Sequence, residues 1–246
     1  MKVFGLGDRR GAVRNCVVLC AAALLAGSVV AADAQDVTGI YWTTQYNAKV
    51  QIVVGGDLPL TPAGKAAYEK NMAGLKDGSI VDQARITCVP DGPVRAWATP
   101  YPFEIVDGPT GNMTILHELN HQNRVVRMGK PLPKYEEIVA HPSYNGHSVG
   151  RLEGDTLVIE TIGFNEKSFL DATGAPHSDE LRTVERIRRI SPTQLEIVVT
   201  VHDPDIYTRD WSARFVYNLR NELRIEPYVC GEPHRDISQI PGVRRP

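Results

Sequence analysis

Several features are scarce in this chain, and each scarcity removes a class of protein. Only four of its 246 residues are cysteine, too few for a small scaffold held by many disulfides. Its 21 glycines and 17 prolines follow no period, which excludes collagen-like and solenoid arrays. Basic residues nowhere concentrate into a phosphate-binding face. The densest run, Arg186-Ile187-Arg188-Arg189, sits inside an alternating pattern. With 27 basic against 29 acidic residues, nucleic acid and anionic membrane surfaces are not expected partners. Helical stretches do not alternate with strand patterns, which excludes a doubly wound α/β fold. What remains is globular composition, 42% hydrophobic and 23% charged, in a turn-rich chain with room for one domain.

Residues 1–34 read as a cleavable secretory leader. Lys2, Arg9, Arg10 and Arg14 form a basic start, an apolar stretch runs from Cys16 to Ala32, and Ala32-Asp33-Ala34 is a small-x-small cleavage site. The apolar stretch is broken by Gly27 and Ser28 and is shorter than the about 20 residues a retained anchor needs. The expectation is a periplasmic or secreted protein, with no membrane insertion after cleavage. Removing four basic and two acidic residues leaves 23 against 27, a net of −4 over 212 residues. Only Cys88 and Cys230 survive processing. In an exported protein two cysteines point to one disulfide, the alternative being two buried thiols.

One helix is signalled after residue 61. Thr61 is an N-cap, Pro62 suits the first helical position, Ala63, Ala66, Ala67 and Leu75 recur at helical spacing, and Asp77-Gly78 stops the run. Period two then takes over. In 193–203, Leu195, Ile197, Val199 and Val201 share one face against Glu196, Thr200 and His202. Strand composition also marks 103–107, 112–119, 124–128, 150–153, 155–163, 181–190 and 211–219, with turn signals between. About eight short strands in succession predict an all-β, lipocalin-like antiparallel barrel over residues 35–246, with a β-sandwich as the alternative. The long segments 129–146 and 163–178, rich in Pro, Gly, Asn and His, are the expected functional loops.

Two motifs suggest catalysis. Gly146-His147-Ser148-Val149-Gly150 matches a nucleophile elbow, which needs a strand-to-helix turn. Arg151-Leu152-Glu153-Gly154-Asp155 instead continues into a tight turn. His117-Glu118-Leu119-Asn120-His121 matches the H-E-x-x-H pattern, whose two imidazoles bind zinc only when a helix stacks them one turn apart. The alternation of Met113, Ile115, His117 and Leu119 predicts a strand, which sends His117 and Glu118 to opposite faces. A zinc hydrolase, with His141 or Glu137 as third ligand, therefore stands as a second alternative. No other cofactor is implied.

The remaining candidates are polar residues beside apolar faces. Leu181, Thr183, Glu185 and Ile187 share a strand face. If that face lines the barrel, Glu185 is a carboxylate among apolar neighbours, suited to acid–base work, unless it pairs with an arginine such as Arg95. His117 is interior by the same parity. His147 and His177 stand where long loops meet strands, after Asn145-Gly146 and Ala175-Pro176, and a histidine there can move a proton at neutral pH. Trp97 and Tyr144 offer aromatic surface to a ligand. The leading expectation is a barrel whose lumen binds a small, largely apolar or aromatic molecule, with His147, His177 and Glu185 at its mouth or inside. The first alternative is a cofactor-independent lyase, isomerase or hydratase using those three residues, with Trp97, Tyr144, His117 and Arg95 as binding residues.

The stretch from Gly146 to Thr161, with its Gly146-His147-Ser148-Val149-Gly150-Arg151 start and Glu153-Gly154-Asp155-Thr156-Leu157-Val158 centre, resembles a family of exported, mostly uncharacterised bacterial proteins. Pro176-His177-Ser178 with Leu181 and Glu185-Arg186, and the surroundings of Cys88 and Cys230, are similar to the same family. The family often has Trp where this chain has Leu152, and a Tyr-Glu-like pair near His117-Glu118. The resemblance covers essentially the whole mature chain. It implies export and a lipocalin-like barrel, and it names no reaction.

Overall fold

The computed structural model describes residues 36–108, 110–232 and 235–243; the leader read over 1–34 lies outside the described residues. Strand β1 (Gly39–Thr43) precedes helix α1 (Pro62–Asp77) and two short helices, α2 (Gln83–Ile86) and α3 (Pro93–Trp97). Then come β2 (Phe103–Asp107), β3 (Met113–His117), a 3-10 turn (Leu119–His121) and β4 (Asn123–Met128). A short helix, α4 (Tyr135–Val139), leads to β5 (His147–Glu153), β6 (Thr156–Ile162), β7 (Arg182–Ser191), β8 (Gln194–His202) and β9 (Trp211–Leu219). Helix α1 ends as its sequence predicts. Gly64 N–H donates to Thr61 Oγ1 at 3.0 Å, and Gly78 closes the helix at φ 82°.

The nine strands follow chain order around a closed barrel. All eight expected strands are present, and the ninth is β1. It closes the cylinder by pairing Tyr41 with Phe103 of β2 and with Leu219 of β9. Closure removes both sheet edges, which is what separates this barrel from the sandwich alternative. Eight of the nine strand pairs are antiparallel; β4 and β5 run parallel, through Val126↔Ser148 and Met128↔Gly150. A parallel pair needs a crossover, and segment 129–146 with its α4 supplies it. That segment is therefore topological as well as a loop.

Alternation decides what faces inward. Ile105, Ile115, Leu157, Ile159, Ile187 and Ile197 are 0% exposed, so no water-sized void touches them and the middle of the barrel is filled by side chains. A guest held at the centre of the lumen, as the sequence led us to expect, has no space there. Cys88 and Cys230 form a disulfide with Cα atoms 6.0 Å apart, joining residues 142 positions apart. Among the described residues no helix is long and apolar enough to cross a membrane.

Candidate functional site

Glu185 faces inward on β7, as its parity implies, and is 0% exposed. Its partner is Arg124 rather than Arg95. Arg124 Nη1 donates to Oε2 at 2.6 Å and Nη2 to Oε1 at 3.0 Å. Trp97, carried inside by α3, adds its indole N–H to Oε1. The Arg124 guanidinium lies 5.5 Å from the centre of the Trp97 ring, a cation–π contact that helps hold a buried charge. His117 packs 5.0 Å from Trp97 and 5.5 Å from Phe103. Burial and the Arg124 charge push its pKa down to about 3, so the ring is neutral. This cluster lies inside the barrel, and Tyr217 Oη donates to the Trp97 carbonyl. Arg95 instead bridges two aspartates, Nη2 to Asp82 at 2.7 Å and Nε to Asp91 at 3.0 Å. It lies at the floor of an open groove of about 820 Å³ that Tyr101 and Tyr228 also line.

The two sequence motifs turn out to be structural. His117 ends β3, whereas His121 belongs to the 3-10 turn, so no helix stacks their imidazoles. Glu118 turns away from His117 to the C-terminal segment. It accepts Arg235 Nε and Nη2, each at 3.0 Å, and the Glu226 N–H at 2.9 Å. His121 Nε2 accepts the Tyr228 N–H at 2.9 Å. Ser148 lies within β5, buried, and hydrogen-bonds Thr161 Oγ1 at 2.9 Å. No helix follows it, so the match to an elbow has no elbow geometry.

Parts of the two long loops, with the adjoining ends of β6 and β7, line a cleft of about 360 Å³. Ile138 of α4, Ile162 at the end of β6, Phe164 and Leu181 give it apolar walls, and Lys167 and Arg182 stand among its lining residues. Gly163 makes the closure possible. Its φ is +80°, and a Cβ there would stand 2.0 Å from Ile138 Cγ2, so only glycine lets α4 seat against the loop. His147 lies just behind, with Cδ2 3.0 Å from that same Cβ position. Its Nε2 donates to the His141 carbonyl at 3.2 Å. His177 packs against Phe164, ring centroids 6.4 Å apart. The backbone of Tyr144 reaches the same region, its carbonyl oxygen 3.0 Å from where Gly92 would carry a Cβ.

His177 packs against Phe164 and His147 beside Gly163, while Glu185 belongs to the interior cluster; among the described residues no hydrogen bond joins it to either histidine. Three participants escaped the sequence reading. Arg124 alternates inward with Val126, a charge on an apolar face that could have been matched to Glu185. Phe164 follows a glycine in a loop, and an aromatic there is a usable sign of a wall. Ser168, whose Oγ is 3.2 Å from His177 Nε2, carries no sequence signal beyond its place in that loop. Comparison with known proteins adds nothing to this geometry: no family model, no curated protein and no solved structure matches the chain.

Proposed function

We propose that this protein binds a small, largely apolar molecule in the cleft between its two long loops. The observation that carries the reading is the cleft itself. About 360 Å³ of space lies within the range of small-molecule sites, and part of its wall, Ile138, Pro142 and residues 163–167, comes from the two segments whose composition marked them as functional. Apolar side chains supply the affinity, and the ionic groups at the rim supply orientation. The filled barrel is then the rigid support that holds the loops. The leader and the Cys88–Cys230 bridge support placing this activity outside the cytoplasm, within the exported family that residues 146–161 resemble.

A neutral apolar dye such as N-phenyl-1-naphthylamine tests this directly. Its fluorescence should rise on binding with one site per chain, and Ile162→Arg, which puts a charge into the cleft wall, should abolish the rise. Retained binding in a folded Ile162→Arg variant overturns the proposal.

A further inference from the structure

Resting on the cleft just proposed, we infer a second property of the same region: Ser168 and His177 form a nucleophile–base pair that cleaves small apolar carboxylic esters. His177 Nδ1 faces the Ser178 carbonyl oxygen at 3.0 Å. A carbonyl only accepts, so Nδ1 carries the ring proton and Nε2 presents a lone pair. That lone pair points at Ser168 Oγ, 3.2 Å away. The ring is buried, and burial holds it below the ordinary imidazole range against the opposing backbone hydrogen bond at Ser178, the Asp203 and Glu166 charges and the backbone of Ser168, which keeps it neutral and able to take a proton. Nucleophile, base and a group orienting the base are therefore all in place.

The surroundings fit an apolar substrate. Phe164 and Leu181 line the 360 Å³ cleft and also the small void that Ser168 and His177 share with Gly92. The cleft and the pair are thus separated by a partition of two side chains. That void holds about 10 Å³, room for one water, so an ester reaches the Ser168 hydroxyl when Phe164 or Leu181 turns aside. Ser178, whose carbonyl orients the ring, is itself fixed by Asp203, which accepts its N–H at 2.7 Å and its hydroxyl at 2.8 Å.

In the reaction, Ser168 Oγ attacks the ester carbonyl carbon while its proton passes to His177 Nε2. The tetrahedral adduct collapses, the C–O bond to the alcohol breaks, and the imidazolium returns the proton to the departing alkoxide. Water then attacks acyl-Ser168, His177 again taking and returning a proton. The carboxylic acid leaves and the serine is restored. No oxidant, reductant or further reactant enters.

The test uses the full chain with p-nitrophenyl butyrate, followed by p-nitrophenolate release and by mass mapping of the acylated peptide. The expected result is an acyl group on Ser168, absent in Ser168→Ala, with turnover lowered about 100-fold or more in both Ser168→Ala and His177→Gln. Circular dichroism establishes that both variants are folded. Should His177→Gln fail to fold, acylation mapped to Ser168 in the unaltered chain still decides. Acylation mapped to another residue, or none at all, overturns the inference. Dye binding in the cleft is read separately: binding without acylation removes the hydrolase alone, and Ser168 acylation without dye binding removes the cleft as the route while the pair stands.

Discussion

The Arg124 guanidinium and the Glu185 carboxylate meet in a two-pronged ion pair inside the barrel, with side chains 2% and 0% exposed. They come from β4 and β7, which are not neighbours in the sheet, so the pair spans the lumen and cross-braces it. Removing one member leaves a buried charge without its counterion. Arg124→Met is expected to cost about 3–5 kcal/mol in urea denaturation, whereas Arg124→Met with Glu185→Leu recovers most of that loss. A single variant within about 1 kcal/mol of the parent would show that the interior solvates its charges.

His117 makes stability depend on pH with a definite sign. Its folded pKa of about 3 lies below the ordinary 6.5, so between those values the unfolded chain binds a proton that the folded one refuses. Its contribution is fully present above about pH 6.5 and is lost as pH falls toward 3, by up to about 1.4 kcal/mol per unit. Asp91 acts oppositely. Burial raises it from 3.8 to about 6 against the opposing charge of Arg95, so its contribution is present at low pH and fades as pH rises through 6. Comparing the parent with His117→Phe isolates the first effect, since Asp91 is common to both. The unfolding free energy of the parent minus that of the variant should fall steadily from about pH 6.5 to pH 4, and a flat difference removes the assignment.

How much of this was legible depends on whether the signal is local. The barrel was, because alternation is written into each strand; Leu195, Ile197, Val199 and Val201 declare their face without help. Strand β1 was not. Its five residues pair with β2 and β9, and nothing in its own short stretch announces that it will close a cylinder. Glu185's inward placement followed from parity. Its partner did not, since that depends on which strands face each other across the lumen. The cleft was legible as a pair of loops rich in histidine and glycine, whereas its walls depend on where the α4 crossover lands. The empty lumen was an extrapolation from strand number, which does not say how large the inward side chains are; in the structure Trp97, Tyr41, Phe103 and Tyr217 are fully buried.

The residues that look like a zinc motif anchor the C-terminal segment instead. Glu118 holds Arg235 and the Glu226 amide, His121 holds the Tyr228 amide, and Cys230 is bound to Cys88. Replacing both cysteines with serine should lower stability by up to about 5 kcal/mol, the chain-entropy value for so long a loop. Glu118→Gln should act on the same segment without touching the disulfide. In limited proteolysis both variants are expected to be cut faster within 221–243 than the parent, with the barrel left intact. Unchanged cleavage in Glu118→Gln would show that the bridge alone holds the segment.

Gly163 and Gly154 separate two costs that usually come together. Both have positive φ, +80° and +62°, so alanine at either pays a similar backbone strain of about 1 kcal/mol. Only at 163 does the new methyl collide, 2.0 Å from Ile138 Cγ2; at 154 nothing lies within 4 Å. Gly163→Ala must therefore push α4 off the loop and deform the cleft, whereas Gly154→Ala leaves it alone. Both variants should lose some thermal stability, but only Gly163→Ala should weaken dye binding, by roughly tenfold for a loss of about 1.4 kcal/mol of wall contact. Equal affinities in the two variants would mean that Ile138 is not part of the binding wall, and the ligand would have to be sought away from α4.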